Sequence, residues 1–169
     1  EYYMESLPVL QESFYMALLE GRVAARQIGK YVKDYQVNLS APYYVVTVLH
    51  ISTQSLPEEE REDPFLLAMA VKKYAEEQVD ERWNSRFVIY LGDIIMISQL
   101  QEKDNLIAYT DEMDRLCRMA RKVCNARVTA GIGYLCDSLE QIPFSYQGAK
   151  QAVSYRVLYG NIRSISISG

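Results

Sequence analysis

The chain has 169 residues, of which 49% are apolar and 24% charged, a composition typical of a folded globular domain rather than a disordered segment. The formal net charge is −4 and no cluster of Lys and Arg stands out, which argues against direct binding to nucleic acid. No apolar run approaches the roughly 20 residues that cross a membrane. Because the chain begins with Glu1 rather than Met, we expect it to be a piece of a longer protein.

Two helices are predicted before the first strand. Residues 5–20 carry an apolar stripe at three- and four-residue spacing, with Ser6 as the N-terminal signal and Gly21 as the stop. The stripe consists of Leu7, Leu10, Phe14 and Leu18. A second helix is predicted over Val23–Tyr35, with one face formed by Ala25, Ile28 and Val32.

The middle of the chain alternates between strand and helix signals. Pro42–Ser52 is rich in Val, Tyr and Ile and predicts a strand that is buried on both faces. An acidic loop over residues 53–63 follows, and we expect it to be solvated. Asp63 and Pro64 then open a helix, as N-cap and first helical residue, which ends near Val79.

The second half begins with two predicted strands, over residues 86–100, joined by a turn at Gly92-Asp93. A helix from Asp104 to about Cys124 follows, with a buried stripe of Leu106, Met113, Leu116, Ala120 and Val123. Residues 127–135 read as a fourth strand. A last helix ends at Gly160, and residues 162–167 alternate as a fifth strand, at an edge.

This order contains a βαββαβ unit, which is ferredoxin-like. We therefore predict an α+β fold with a central, mostly antiparallel five-stranded sheet, flanking helices and an N-terminal helical extension. The predicted division is a helical segment over residues 1–36 and an α+β domain over residues 37–169. The single histidine, His50, lies in an apolar run, and the three cysteines form no CxxC pair, so neither a catalytic triad nor a zinc site is indicated.

The hairpin and the last helix resemble the GGDEF family of diguanylate cyclases, which have the nucleotidyl-cyclase fold. The five signature positions are occupied by Leu91, Gly92, Asp93, Ile94 and Ile95, of which Gly92 and Asp93 match. The family's C-terminal pattern of Ala, Ala and Gly falls on Ala149, Ala152 and Gly160. The segment "AGIG" at residues 130–133 resembles the preceding strand of that family.

The chain is most similar to a degenerate subgroup, found in bacterial two-component response regulators between a receiver and an AraC-type helix-turn-helix. Sugar-diacid and purine-pathway regulators carry a similar domain. The resemblance lies in "QESFYMALLEGRV" at residues 11–23, in the room for only one helix between the first strand and the hairpin, and in residues 132–160.

The resemblance implies that the ligands for a metal and a nucleotide are missing. Active relatives have an acidic residue at the position of Ile94 and a metal-binding Asp pair at the positions of His50 and Ser52. They have a phosphate-contacting Lys at the position of Val157, and a Gly that leaves space for the base where Leu91 stands. We therefore expect no catalytic residue, no metal site and no cofactor.

The resemblance thus implies a non-catalytic regulatory domain of a cytoplasmic response regulator, with the receiver and the helix-turn-helix of the same full-length chain as its partners. The N-terminal stripe is a candidate for self-association as a coiled coil, or else it packs on its own domain. An alternative is a nucleotide or small-ligand sensor, or a residual cyclase, that uses the same cleft. Cationic residues near the hairpin would favour that alternative, and the sequence has no basic cluster there.

Overall fold

The computed structural model describes residues 2–52, 63–159 and 164–166. Within them the predicted order of five helices and five strands is confirmed. The elements are α1 (Tyr2–Leu19), α2 (Ala25–Asp34), β1 (Tyr43–Ser52), α3 (Pro64–Gln78), β2 (Arg86–Tyr90), β3 (Asp93–Leu100), α4 (Asn105–Cys124), β4 (Arg127–Ile132), α5 (Ile142–Tyr159) and β5 (Ser164–Ser166). The acidic loop at residues 53–62 and the predicted stop at Gly160 lie outside the described residues.

The strands form one sheet in the order β2-β3-β1-β4-β5. Strand β1 pairs antiparallel with both β3 and β4, and β2 pairs antiparallel with β3. The short β5 lies at the edge beyond β4, to which it is parallel. The predicted α+β fold around a mostly antiparallel sheet is therefore confirmed. No helix among the described residues is both long and apolar enough to cross a membrane.

Helices cover both faces of the sheet, which is why β1 is apolar at nearly every position. Val45 and Leu49 face a core that α3 and α4 close, whereas Val46 and Val48 face a core that α1, α2 and α5 close. All four side chains are at most 1% exposed. This double burial confirms the prediction for β1 and makes it the centre of the fold.

Helix α5 lies unusually close to β4, and two glycines allow it. A Cβ atom at Gly131 would stand 2.2 Å from the carbonyl oxygen of Ala149, and one at Gly133 would stand 1.9 Å from that of Ser145. Two hydrogen bonds stabilise this contact. The N–H of Gly133 donates to the carbonyl of Val46 (2.8 Å), and the N–H of Val46 donates to the hydroxyl of Ser145 (2.9 Å). The "AGIG" segment is therefore explained by close backbone packing.

Two predicted helix signals are confirmed by their hydrogen bonds. Gly21 has a φ of +70° just after α1, and the N–H of Arg22 donates to the carbonyl of Ala17 at 2.9 Å. Asp63 caps α3, because its Oδ1 accepts the N–H groups of Phe65 (2.8 Å) and Leu66 (3.3 Å).

Other details of the predicted helices are wrong. Helix α1 begins at Tyr2 and contains Pro8, so Ser6 lies inside the helix and is not its cap. Val123 is 59% exposed and Ala25 is also exposed, although both were placed on buried faces. Both lie near a helix end, where neighbouring elements no longer cover the whole apolar stripe and periodicity alone overestimates burial.

Gly133→Ala should destabilise the domain by roughly 1–3 kcal/mol or more, because the added methyl meets helix backbone that cannot rotate away. Gly29→Ala is the matched control, since a Cβ there has nothing within 4 Å. That change in α2 should be neutral or stabilise by up to about 1 kcal/mol. Urea unfolding of both variants measures the difference, and equal stabilities would contradict the packing account.

Candidate functional site

The hairpin between β2 and β3 turns through two residues, Leu91 and Gly92. Both have positive φ, +52° and +84°, as in type I′ turns. Tyr90 and Asp93 are the last cross-strand pair before the turn. The turn thus lies one residue earlier than predicted, and Asp93 is the first residue of β3. Gly92 therefore has the left-handed conformation that glycine adopts most easily.

His50 and Asp93 form the polar contact at this end of the sheet. Leu49 pairs with Ile94 across β1 and β3, so the antiparallel register places the next residues, His50 and Asp93, side by side. Their Nδ1 and Oδ1 atoms are 2.8 Å apart, with side chains 40% and 26% exposed. The hydrogen bond to Asp93 raises the pKa of His50, against the opposing effect of burial, and the carboxylate charge adds to the increase.

The five signature positions have separate structural roles. Leu91 is 80% exposed at the tip of the turn. Ile94 faces the α3–α4 core and Ile95 the opposite core, and both are fully buried. Only Asp93 presents a polar group, and that group is bonded to His50.

The end of α1 contacts the hairpin through polar groups that the sequence did not single out. The hydroxyl of Tyr90 donates to Glu20, and Arg22 Nε donates to the same carboxylate at 2.7 Å. These two hydrogen bonds lower the pKa of Glu20. Because Glu20 and Tyr90 are 70 residues apart, no local spacing could have revealed this contact.

Helix α5 provides the next groups around Asp93. Tyr146 is 4% exposed, and burial raises its pKa to about 12, with a further contribution from the negative charges of Asp93 and Glu20. The ammonium group of Lys150 lies 4.4 Å from the centre of the Tyr146 ring, a cation–π contact. The charges near the hairpin are therefore a mixture of acids and bases.

Among the described residues, the side chains at this end of the sheet do not fit a magnesium ion. Mg²⁺ prefers several oxygen ligands in octahedral geometry, usually including one or two carboxylates. Here one carboxylate, Asp93, already accepts from an imidazole, and Ile94 offers buried hydrocarbon at the acidic position of active relatives. The described residues include no group of three or more His, Cys, Asp or Glu side chains that could hold a metal ion.

The N-terminal stripe lies in the protein's own core. Leu7, Phe14 and Leu18 are 7%, 3% and 1% exposed, and Leu10 is half-buried. Phe14 and Leu18 belong to the cluster that also includes residues of α2, β1 and α5. Of the two interpretations left open by the sequence, packing within the domain is the one that this geometry supports.

The sheet order, the two helical layers and the central hairpin define an α+β domain of the nucleotidyl-cyclase type. A family model for GGDEF-like domains matches residues 20–155, most of the chain. The chain therefore belongs to the GGDEF-like domain family. No curated protein matches the chain.

Substitutions of the two turn residues, Leu91 and Gly92, should change the stability of the domain in opposite directions. Leu91→Asn should stabilise the domain by about 1 kcal/mol, because Asn tolerates positive φ better than Leu and the exposed side chain loses no packing. Gly92→Val should destabilise by about 1–3 kcal/mol, although a side chain there meets no neighbour. Thermal melts measure both effects, and an unchanged melt for the valine variant would contradict a structural role for this glycine.

The His50–Asp93 pair predicts a raised histidine pKa in solution. Since His50 is the chain's only histidine, NMR titration of its ring protons is unambiguous, and its pKa should exceed about 6.5. Asp93→Asn should bring that pKa back toward the ordinary value. The stability that the pair provides is fully present below the unfolded-state pKa and is lost as the pH rises through the folded one. A pKa that the substitution leaves unchanged would exclude the pair in solution.

Proposed function

We propose that this chain is a degenerate, non-catalytic GGDEF-like domain that acts as a regulatory and interaction module. The observation that carries the proposal is the His50–Asp93 hydrogen bond of 2.8 Å beside a fully buried Ile94. The positions that supply carboxylates to a metal in active relatives hold an imidazole and an alkyl side chain here. Metal-assisted phosphoryl chemistry depends on those oxygen ligands, so their replacement removes the reaction.

The proposed setting is a bacterial cytoplasmic response regulator, in which the domain connects a receiver to an AraC-type DNA-binding domain. Its support is the resemblance of residues 11–23 and 132–160 to the domains that occupy that place. In the structure these two segments contact each other, because Phe14 and Leu18 share a core with Tyr146 and Ala149. A displacement at the N-terminal helix would thus act directly on α5, near the C-terminal end of the domain.

A nucleotide sensor that uses the hairpin without metal is the alternative. Such a sensor needs cations to offset phosphate charge. Lys150 packs against Tyr146 and Arg22 shares its charge with Glu20, so these two cations together fall short of the charge of a triphosphate. These contacts favour the regulatory proposal over phosphate binding at the hairpin.

The first test is catalytic turnover. The purified chain, incubated with GTP or ATP and Mg²⁺ or Mn²⁺, should form no cyclic mono- or dinucleotide while an active diguanylate cyclase run in parallel does. The matched variant is Asp93→Ala, which removes the remaining acidic signature residue. Product that scales with protein concentration and disappears in that variant would overturn the proposal, whereas product unchanged by the substitution identifies a contaminating enzyme.

The second test concerns DNA. With a net charge of −4, this chain should give no salt-dependent mobility shift with duplex DNA at physiological salt, because nothing offsets repulsion from the phosphates. In the proposed full-length response regulator, DNA binding should come from the helix-turn-helix domain. A mobility shift of sub-micromolar affinity with this chain alone would contradict the proposal that a different domain binds the DNA.

A further inference from the structure

A cavity lies between α1 and α2, and neither His50 nor Asp93 lines it. Its volume is about 290 Å³, at the small end of the range for ligand pockets. Apolar and aromatic side chains of both helices line it, together with polar groups that follow the end of α1. The residues that matter for recognition are Leu10, Phe14, Tyr31, Tyr35, Arg22 and Gln27.

The aromatic part of this cavity is already assembled. The ring centres of Tyr31 and Tyr35 are 5.4 Å apart, and that of Phe14 lies 6.0 Å and 6.3 Å from them. Phe14 is 3% exposed, which fixes the group to the core, whereas the two tyrosines are half-buried. Three rings in mutual contact form a rigid surface that a planar apolar group can cover at little entropic cost.

The polar part of the cavity is a guanidinium group. Arg22 is 60% exposed and donates through Nε to Glu20 at 2.7 Å, so this position already holds a carboxylate. The guanidinium has five N–H donors in a planar fork that matches a carboxylate, and the bond to Glu20 uses one of them. Gln27 adds an amide group to the same lining.

We propose that this cavity binds a small aromatic carboxylate, with its ring against Tyr31 and Tyr35, which Phe14 supports from the core, and its carboxylate on Arg22. The volume fits a one-ring or two-ring compound. A single guanidinium group matches one carboxylate better than a polyphosphate. This site is separate from the His50–Asp93 pair and does not depend on the regulatory role proposed above.

The ligand's anchor is connected to the hairpin. Arg22 and the Tyr90 hydroxyl both donate to Glu20, and Tyr90 pairs with Asp93 across the two strands. A carboxylate on Arg22 competes with Glu20 for that guanidinium and changes the bond to Tyr90. Occupancy of the cavity is therefore transmitted from the N-terminal helices to the hairpin turn.

The experiment is a titration of the ¹⁵N-labelled chain with 3-phenylpropionate, followed by amide chemical shifts. The titration should saturate with a Kd of about 1 mM or tighter. The amide signals that shift should be those of α1, of α2 and of Gly92. The neutral probe 3-phenylpropionamide should bind at least tenfold more weakly. No saturable shifts near the cavity with the carboxylate at 10 mM would overturn the proposal.

Single substitutions test the carboxylate contact and the connection to the hairpin separately. Arg22→Gln should weaken binding at least tenfold, whereas Arg26→Gln, an exposed arginine of α2 outside the cavity lining, should bind like the parent chain. Equal affinity of the amide, or of the Arg22 variant, would refute the carboxylate contact. Tyr90→Phe should retain binding and lose the Gly92 shift, and a Gly92 shift that survives in this variant would refute the connection to the hairpin.

Discussion

The antiparallel pairing of β1 with β3 is the constraint on which the other features of this domain depend. It sets Leu49 against Ile94, and every neighbouring residue follows from that register. A slip of one residue would exchange the two faces of β3, sending the side chain of Ile94 toward the α1–α5 layer and that of Ile95 toward α3 and α4. Because both faces are buried under helices, such a slip would misplace two cores at once, so the register is strongly specified.

The same register decides the chemistry at the end of the sheet. It brings the imidazole of His50 beside the carboxylate of Asp93, which gives that carboxylate a protein partner within hydrogen-bond distance. The neighbouring acid, Glu20, is shared between Tyr90 and Arg22, and the neighbouring base, Lys150, covers the ring of Tyr146. These charged groups therefore already have partners within the protein, an arrangement that suits a structural or switching role better than capture of a highly charged ligand.

Sequence patterns predicted the fold because its main signals are local or periodic. The double burial of β1 shows in its run of Val and Leu, and the cap of α3 shows in Asp63-Pro64. The misses lie where residue preference is overridden: α1 continues through Pro8 even though proline cannot donate the helix hydrogen bond, and the positive φ of Leu91 is imposed by the turn rather than by residue type. Of the site, Asp93 and His50 were singled out separately, but their contact required the register.

The N-terminal helices belong to the same hydrophobic core as the α+β domain that follows them in the sequence. The family match begins at residue 20, yet Phe14 and Leu18 lie in the same core as Val46 and Ala149, so α1 is part of the domain's packing. Such a helix cannot move as a free lever, because withdrawing it would expose side chains that are now at most 3% exposed. A signal that enters through α1 must therefore act by small shifts of packed elements, and the polar contacts from Arg22 through Glu20 to Tyr90 give such a shift one route to the hairpin.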